Sequence, residues 1–149
     1  MTHSNAQARY RHVFAITDKL LDQNGHVNNV VYVQWMQDVA ILHYDSIGGS
    51  EIDQSEDATW FARSHKIDYL KPALEGDHVE ALTWVASFHR VQCLRMYQFT
   101  RKSDGALLAK GETNWVFVDA KSGRPKRIPE KTITLLQTVG KPEPSENSI

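Results

Sequence analysis

The run from residue 30 to residue 47 is the feature that most restricts how this chain can fold. It contains neither proline nor glycine, and Gly48 and Gly49 follow it directly. Glycine just past the last turn is a usual way for a helix to end. Asn28 or Asn29 suits the N-cap, because a side-chain oxygen there accepts a hydrogen bond from a helical N–H group. The sequence therefore predicts a long helix over residues 30–47.

This helix is apolar over most of its circumference. Its polar side chains fall on one narrow stripe, made of Gln34, Gln37, Asp38 and Asp45. Apolar side chains occupy the rest: Val30, Val31, Val33, Trp35, Met36, Val39, Ala40, Ile41 and Leu42. A helix with so wide an apolar surface is enclosed by other structure. Its β-branched residues lower its intrinsic stability, so tertiary packing must hold it. We therefore expect a central helix.

The remainder of the chain predicts strands joined by turns. Alternating or mostly apolar runs predict strands at 10–18, 60–70, 78–89, 93–101 and 107–118. We expect the last four to form an antiparallel meander, and a short helix to follow Pro129. Such a sheet must bury one face, and the long helix is the large apolar object available. The predicted fold is α+β, a sheet wrapped around one helix, with a single domain at 10–140 and polar tails at 1–9 and 141–149.

Composition excludes several classes of function. The formal net charge is −1, and no basic face is visible, so we expect no nucleic-acid or membrane partner. Cys93 is the only cysteine and the seven histidines are scattered, which argues against a metal site and a disulfide. No apolar run approaches the roughly 18 residues that span a bilayer. The polar N-terminus does not resemble a signal peptide, so we expect a cytoplasmic protein. We also expect that the protein uses no cofactor.

The segment from Asp22 to Asn29 combines three features that suit catalysis. The helix start offers unpaired N–H groups, which can stabilise an oxyanion. Gly25 lets a ligand approach the backbone, and Asp22 and His26 supply an acid or a base. The same residues also suit an ordinary loop and helix cap with no function. The residues alone leave both interpretations open.

A family pattern favours the first interpretation. Residues 22–35 read DQNGHVNNVVYVQW and resemble the D-x-N-x-H-V-N-N-x-x-Y-x-x-W signature of hotdog-fold thioesterases. That group includes the 4-hydroxybenzoyl-CoA thioesterase family and the plant acyl-ACP thioesterases. Residues 67–73 (IDYLKPA) and 108–119 (LAKGETNWVFVD) resemble later segments of the same family. The resemblance extends over residues 10–138 in the family's order.

The resemblance implies an enzyme that hydrolyses acyl-CoA or acyl-ACP thioesters. Asp22 would act as nucleophile or as general base through water, with Asn24 and His26 as its partners. The backbone N–H near Asn29 would polarise the thioester carbonyl. Some members use a further acidic residue, for which neither Asp68 nor Glu75 fits well.

The same resemblance suggests how the substrate binds. Gly25 leaves room for it. Tyr32 and Trp35 either line the acyl chain or, as is more common for such residues, pack in the core. Candidate cations for the phosphate-bearing arm are Arg90, Arg124, Lys126 and Arg127. Cys93 lies in the middle of a strand and is expected to be a small buried residue. We expect a homodimer or homotetramer in which two sheets join and the active site lies across the interface.

Two other functions use the same fold. A non-catalytic acyl-thioester-binding protein needs no carboxylate beside the thioester, so Asp22 argues against it. A hydratase or dehydratase usually places its histidine and acid differently, and the pair of asparagines at the helix start favours the thioesterase.

Overall fold

The computed structural model describes residues 8–137. The strands are β1 (Arg9–Ala15), β2 (Ala58–Tyr69), β3 (His78–His89), β4 (Gln92–Arg101) and β5 (Leu107–Asp119). The helices are α1 (Asn29–Ser46), α2 (Gly49–Ser55) and α3 (Glu130–Gln137). Within these described residues, no helix is long and apolar enough to cross a membrane.

The predicted long helix is confirmed to within one residue at each end. The side chain of Asn28, the N-cap, accepts a hydrogen bond from the Val30 N–H at 3.0 Å. Gly48 adopts the left-handed conformation with φ 87° and stops the helix. The short helix α2 that follows was not predicted. The first strand ends at Ala15 rather than Asp18, because the chain then turns through the 3-10 segment Asp18–Leu20.

The five strands form one antiparallel sheet in the order β1-β3-β4-β5-β2. The predicted meander is right for β3, β4 and β5 but wrong for β2, which pairs with β5. The physical reason lies in the connection from β2 to β3. Pro72 interrupts it, and the carbonyl of Ala73 accepts a hydrogen bond from Val27 N–H at 2.9 Å. This connection therefore runs beside the loop before α1 instead of closing a hairpin.

The inner face of the sheet wraps around α1, which confirms the α+β class. Met36 and Val39 of α1 and Phe99 of β4 are fully buried together. Gly111 of β5 permits this close approach. A Cβ atom there would lie 2.7 Å from Met36 Sδ and 3.1 Å from the carbonyl oxygen of Lys66. The core therefore depends on the absence of a side chain at one strand position.

Within one chain the sheet covers only one side of α1. Val30 is 71% exposed and Ile41 is 55% exposed. The expectation that other structure surrounds the helix is thus not met inside the single chain, because the sheet is open and β2 is one of its edges. The uncovered side of α1 lies free for another contact.

A buried polar layer was also not predicted. The sequence analysis placed Cys93 in a strand as a small buried residue, and the structure confirms it at 5% exposure. Arg95 lies between Cys93 and Tyr97 on the same inner face and is 4% exposed. Its Nη1 donates to His43 Nδ1 at 2.9 Å and to Thr83 Oγ1 at 3.1 Å.

We expect Gly111→Ala to destabilise the protein by about 1–3 kcal/mol, the usual cost of overpacking a core. Urea unfolding of the variant measures this loss. The atom nearest to the added methyl group is Met36 Sδ. Met36→Ala should therefore destabilise the Gly111→Ala variant less than it destabilises the wild type. Strictly additive effects of the two substitutions would contradict the proposed contact.

Candidate active site

The Asp22 carboxylate holds a tight turn in front of α1. Its Oδ1 accepts hydrogen bonds from the backbone N–H groups of Asn24 at 2.8 Å and His26 at 3.2 Å. The backbone N–H of Asp22 donates to the His26 carbonyl at 2.7 Å. Gly25 has φ 78° at the tip of this turn, and no neighbouring atom lies within 4 Å of a Cβ built there. The turn therefore requires glycine for its backbone conformation.

A surface cleft of about 220 Å³ lies between this turn, the start of α1 and the end of β2. Its lining residues are Asp22, His26, Val27, Asn29, Tyr32, Tyr69, Leu70, Lys71, Pro72 and Ala73. Three of the four predicted catalytic residues therefore share one cleft. The fourth, Asn24, is exposed and contributes its backbone N–H to the turn.

The first turn of α1 presents a free backbone donor to this cleft. Val30 N–H bonds the Asn28 side chain, and Val31 N–H bonds the Asn28 carbonyl at 2.9 Å. The N–H of Asn29 has no acceptor in the described part of the chain, as expected for the first residue of a helix. The Tyr69 hydroxyl donates to the Asn29 carbonyl at 2.9 Å, which fastens the end of β2 to this turn.

Tyr32 lines the cleft, but its hydroxyl is buried behind the cleft surface. Its side chain is 3% exposed, and its buried hydroxyl bonds no atom of residues 8–137. Burial first, and then the neighbouring Tyr69, raise the pKa of Tyr32 to about 12. The hydroxyl therefore stays protonated and keeps a hydrogen to donate.

A family model identifies the superfamily of this chain. Residues 5–136 match the family model described as the thioesterase-like superfamily. The chain belongs to this superfamily. No curated protein matches it significantly.

Solved structures show that this member of the thioesterase-like superfamily has the hotdog fold. A 1,4-dihydroxy-2-naphthoyl-CoA thioesterase from Synechocystis has a TM-score of 0.79 and 16% identity, over 91% of this chain and 100% of that one. A putative oleoyl thioesterase from Lactobacillus plantarum has a TM-score of 0.83 and 19% identity, over 95% and 56%. The 12:0-ACP thioesterase from Umbellularia californica has a TM-score of 0.76 and 16% identity, over 95% and 54%.

Not all of the predicted substrate-binding residues of this thioesterase-like protein lie near the cleft. Tyr32 lines the cleft, whereas Gly25 lies at the tip of the Asp22 turn and is not a lining residue. Trp35 is a core residue, 4% exposed and stacked on Phe14 with ring centroids 4.6 Å apart, and it does not line the cleft. Arg90 and Arg124 lie at the opposite end of the sheet. Arg90 is in the β3–β4 hairpin, and the Arg124 carbonyl bonds Asp119 at the end of β5.

The structure adds residues that the sequence analysis missed. Lys71 and Tyr69 line the cleft, and Arg101 supports it by donating to the Pro72 carbonyl at 2.9 Å. The sequence did contain a signal for Lys71 and Tyr69, because both lie in the segment 67–73 that resembles the family. Asp68 lines a depression away from the cleft, with Lys110 and Glu112, and Glu75 is in an exposed turn. No group of three potential metal ligands occurs among the described residues.

Proposed function

We propose that this protein hydrolyses acyl thioesters of coenzyme A or of an acyl carrier protein. One observation carries the proposal: Asp22, with its carboxylate, and Asn29, whose N–H has no acceptor in the described residues, line the same cleft. A carboxylate beside an unused donor fits acyl transfer, because one group activates the attacking atom and the other stabilises the oxyanion. The related structures named above, which include CoA and ACP thioesterases, support this substrate class.

The turn leaves one oxygen of Asp22 available for chemistry. Oδ1 is occupied by two backbone N–H groups, whereas Oδ2 has no partner in the described residues. As general base, Oδ2 takes a proton from water while the water oxygen bonds the carbonyl carbon. As nucleophile, Oδ2 bonds that carbon directly, and water later hydrolyses the resulting anhydride. In both routes the oxyanion accepts a hydrogen bond from Asn29 N–H, and its collapse breaks the C–S bond.

Asn24 and His26 serve Asp22 in two ways. Both backbone N–H groups fix the orientation of its carboxylate. The His26 side chain also lines the cleft, where it can donate a proton to the departing thiolate. The cleft takes the thioester and the pantetheine arm, and Lys71 supplies a cation at its rim for a phosphate.

The exposed surfaces support a homodimer or homotetramer. Strand β2 is an unpaired edge of the sheet. Phe61 on it is 59% exposed, on the face away from α1, because its neighbour Trp60 packs against Tyr44 of α1. Antiparallel pairing of two β2 strands about their middle covers both features. It also brings the Ala58 end of one subunit towards the Tyr69 end of its partner. Arg124 and Arg90 of the partner subunit, which are distant from the cleft of their own chain, then approach the cleft of the first subunit.

A non-catalytic acyl-thioester-binding protein is the second candidate. The observation that favours it is the structural use of Asp22, whose Oδ1 bonds account for an acid at this position without any chemistry. The next two substitutions separate the candidates.

We expect Asp22→Asn to lower turnover of acyl-CoA by about 10²–10⁴-fold, the scale of losing a general base. Asparagine keeps an Oδ1 acceptor for the two N–H groups, so the turn and the melting temperature should be retained. Release of free CoA from acyl-CoAs of several chain lengths, detected with a thiol reagent, measures the loss. Full activity of the variant would remove Asp22 from the mechanism, and a wild type that hydrolyses no thioester would favour the binding protein.

We expect Asn29→Pro to lower kcat by about 10²–10³-fold, the usual effect of removing one oxyanion donor. Proline lacks the N–H but is favoured at the first position of a helix, and Asn28 before it is extended, with φ −61° and ψ 136°. Asn29→Ala is the matched control, since it removes the side chain and keeps the N–H. Equal kcat values for the two variants would show that this N–H takes no part.

We expect Phe61→Glu to convert the wild-type oligomer into monomers, because it places a charge in the proposed β2 interface. Light scattering on the eluting protein measures the mass. Val13→Glu is the matched control, since Val13 is 41% exposed on β1, the other edge of the sheet. A monomeric wild type, or dissociation by Val13→Glu alone, would refute the β2 interface.

A further inference from the structure

Arg95 is a buried cation whose hydrogen-bond partners are neutral. Only 4% of the residue is exposed, and Nη1 bonds His43 Nδ1 and Thr83 Oγ1. Burial, and then the charge of Arg95, lower the pKa of His43 to about 3. His43 is therefore uncharged near neutral pH, with its hydrogen on Nε2, because Nδ1 accepts from Arg95. That buried Nε2–H also has no partner in the described residues.

Among residues 8–137, no carboxylate balances this charge. Arg95 takes part in none of the ion pairs found among the described residues. The side chains whose charge would favour its protonated form are Tyr97, Cys93 and Tyr44. Burial raises the pKa of all three, so they are neutral near pH 7. An arginine stays protonated in a protein, and a buried cation without an anion is costly. Among the described residues, the surroundings of Arg95 thus provide hydrogen-bond acceptors but no anion.

A cavity of about 70 Å³ lies beside Arg95, lined by residues of α1, of the sheet and of α3. Its other lining residues are almost all apolar or aromatic: Ala40, Ile41, Tyr44, Trp60, Cys93, Trp115 and Leu136. The volume suits the end of an aliphatic chain and one small polar group. In such an apolar setting an ion pair with Arg95 is strong, because little water screens it.

We propose that this cavity binds a carboxylate at the far end of the substrate's acyl chain, so that the enzyme prefers ω-carboxyacyl thioesters. This rests on the proposed thioesterase function. The reaction cleft and the cavity lie on the same seam, the first at Asn29 and Tyr69, the second at Ile41 and Trp60. Asn29 and Ile41 are about 18 Å apart along α1, from a rise of about 1.5 Å per residue. On α1, apolar Val30 and Val33 lie between the two sites, and a bound chain passes over Gln37, which contacts His65 of β2 across the seam at 3.4 Å.

A binding experiment tests the cavity without catalysis. A fatty acid and the fatty alcohol of equal length are titrated calorimetrically into the wild type, Arg95→Met and Ala40→Leu. We expect the wild type to bind the acid about tenfold or more tightly than the alcohol. Both variants should lose this preference, the first by removing the cation and the second by filling the cavity. Arg9→Met is the matched control, since Arg9 is exposed on β1 over Trp84. Equal binding of acid and alcohol by the wild type would overturn the proposal.

Hydrolysis then identifies the source of the carboxylate. CoA thioesters of equal chain length, ending in a methyl or a carboxylate group, are compared by kcat/KM. We expect the carboxylate-ended substrate to be favoured about tenfold or more in the wild type and Arg9→Met, but not in Arg95→Met or Ala40→Leu. Acid binding without this preference would assign the cavity to a free acid and overturn the substrate assignment. If the wild type hydrolysed neither thioester, the proposed function would be wrong, and the binding experiment alone would decide on the cavity.

Discussion

The close contact between α1 and the inner face of the sheet positions the rest of this structure. It depends on Gly111, where a side chain would meet both Met36 and the backbone of β2. Dispersion forces and apolar burial stabilise the packed layer, and both weaken quickly when the spacing grows. Because α1 is fixed in this way, its first turn has a defined place relative to β2. The cleft forms where those two elements meet.

Two hydrogen bonds then bring the residues of the candidate site together. The Ala73 carbonyl holds Val27, and the Tyr69 hydroxyl holds the Asn29 carbonyl, so the β2–β3 connection and the Asp22 turn share one wall. The crossing of β2 to the far edge of the sheet makes this possible, since a simple hairpin from β2 to β3 would leave no connection beside the helix start. The strand order of the sheet and the position of the site therefore both depend on the placement of the β2–β3 connection beside the start of α1.

The interior is more polar than a core of this size requires. Arg95 lies among apolar side chains with neutral partners only, and a well-packed leucine or methionine would avoid the cost of desolvating its charge. A buried charge that stability does not explain points to a ligand. In the proposed binding mode, a chain bound in the cleft extends along α1 to the cavity.

The sequence by itself determined the long helix, its asparagine cap, its glycine stop and the strand periods, because capping, termination and side-chain alternation are local properties. It also indicated the family, whose signature lies in contiguous residues. Only the tertiary structure decided that β2 pairs with β5, that Trp35 lies in the core and that Arg90 and Arg124 are distant from Asp22 in their own chain. The buried position of Arg95 and the meeting of Tyr69 with α1 were also decided there. These facts depend on contacts between residues far apart in the chain, which no local pattern encodes.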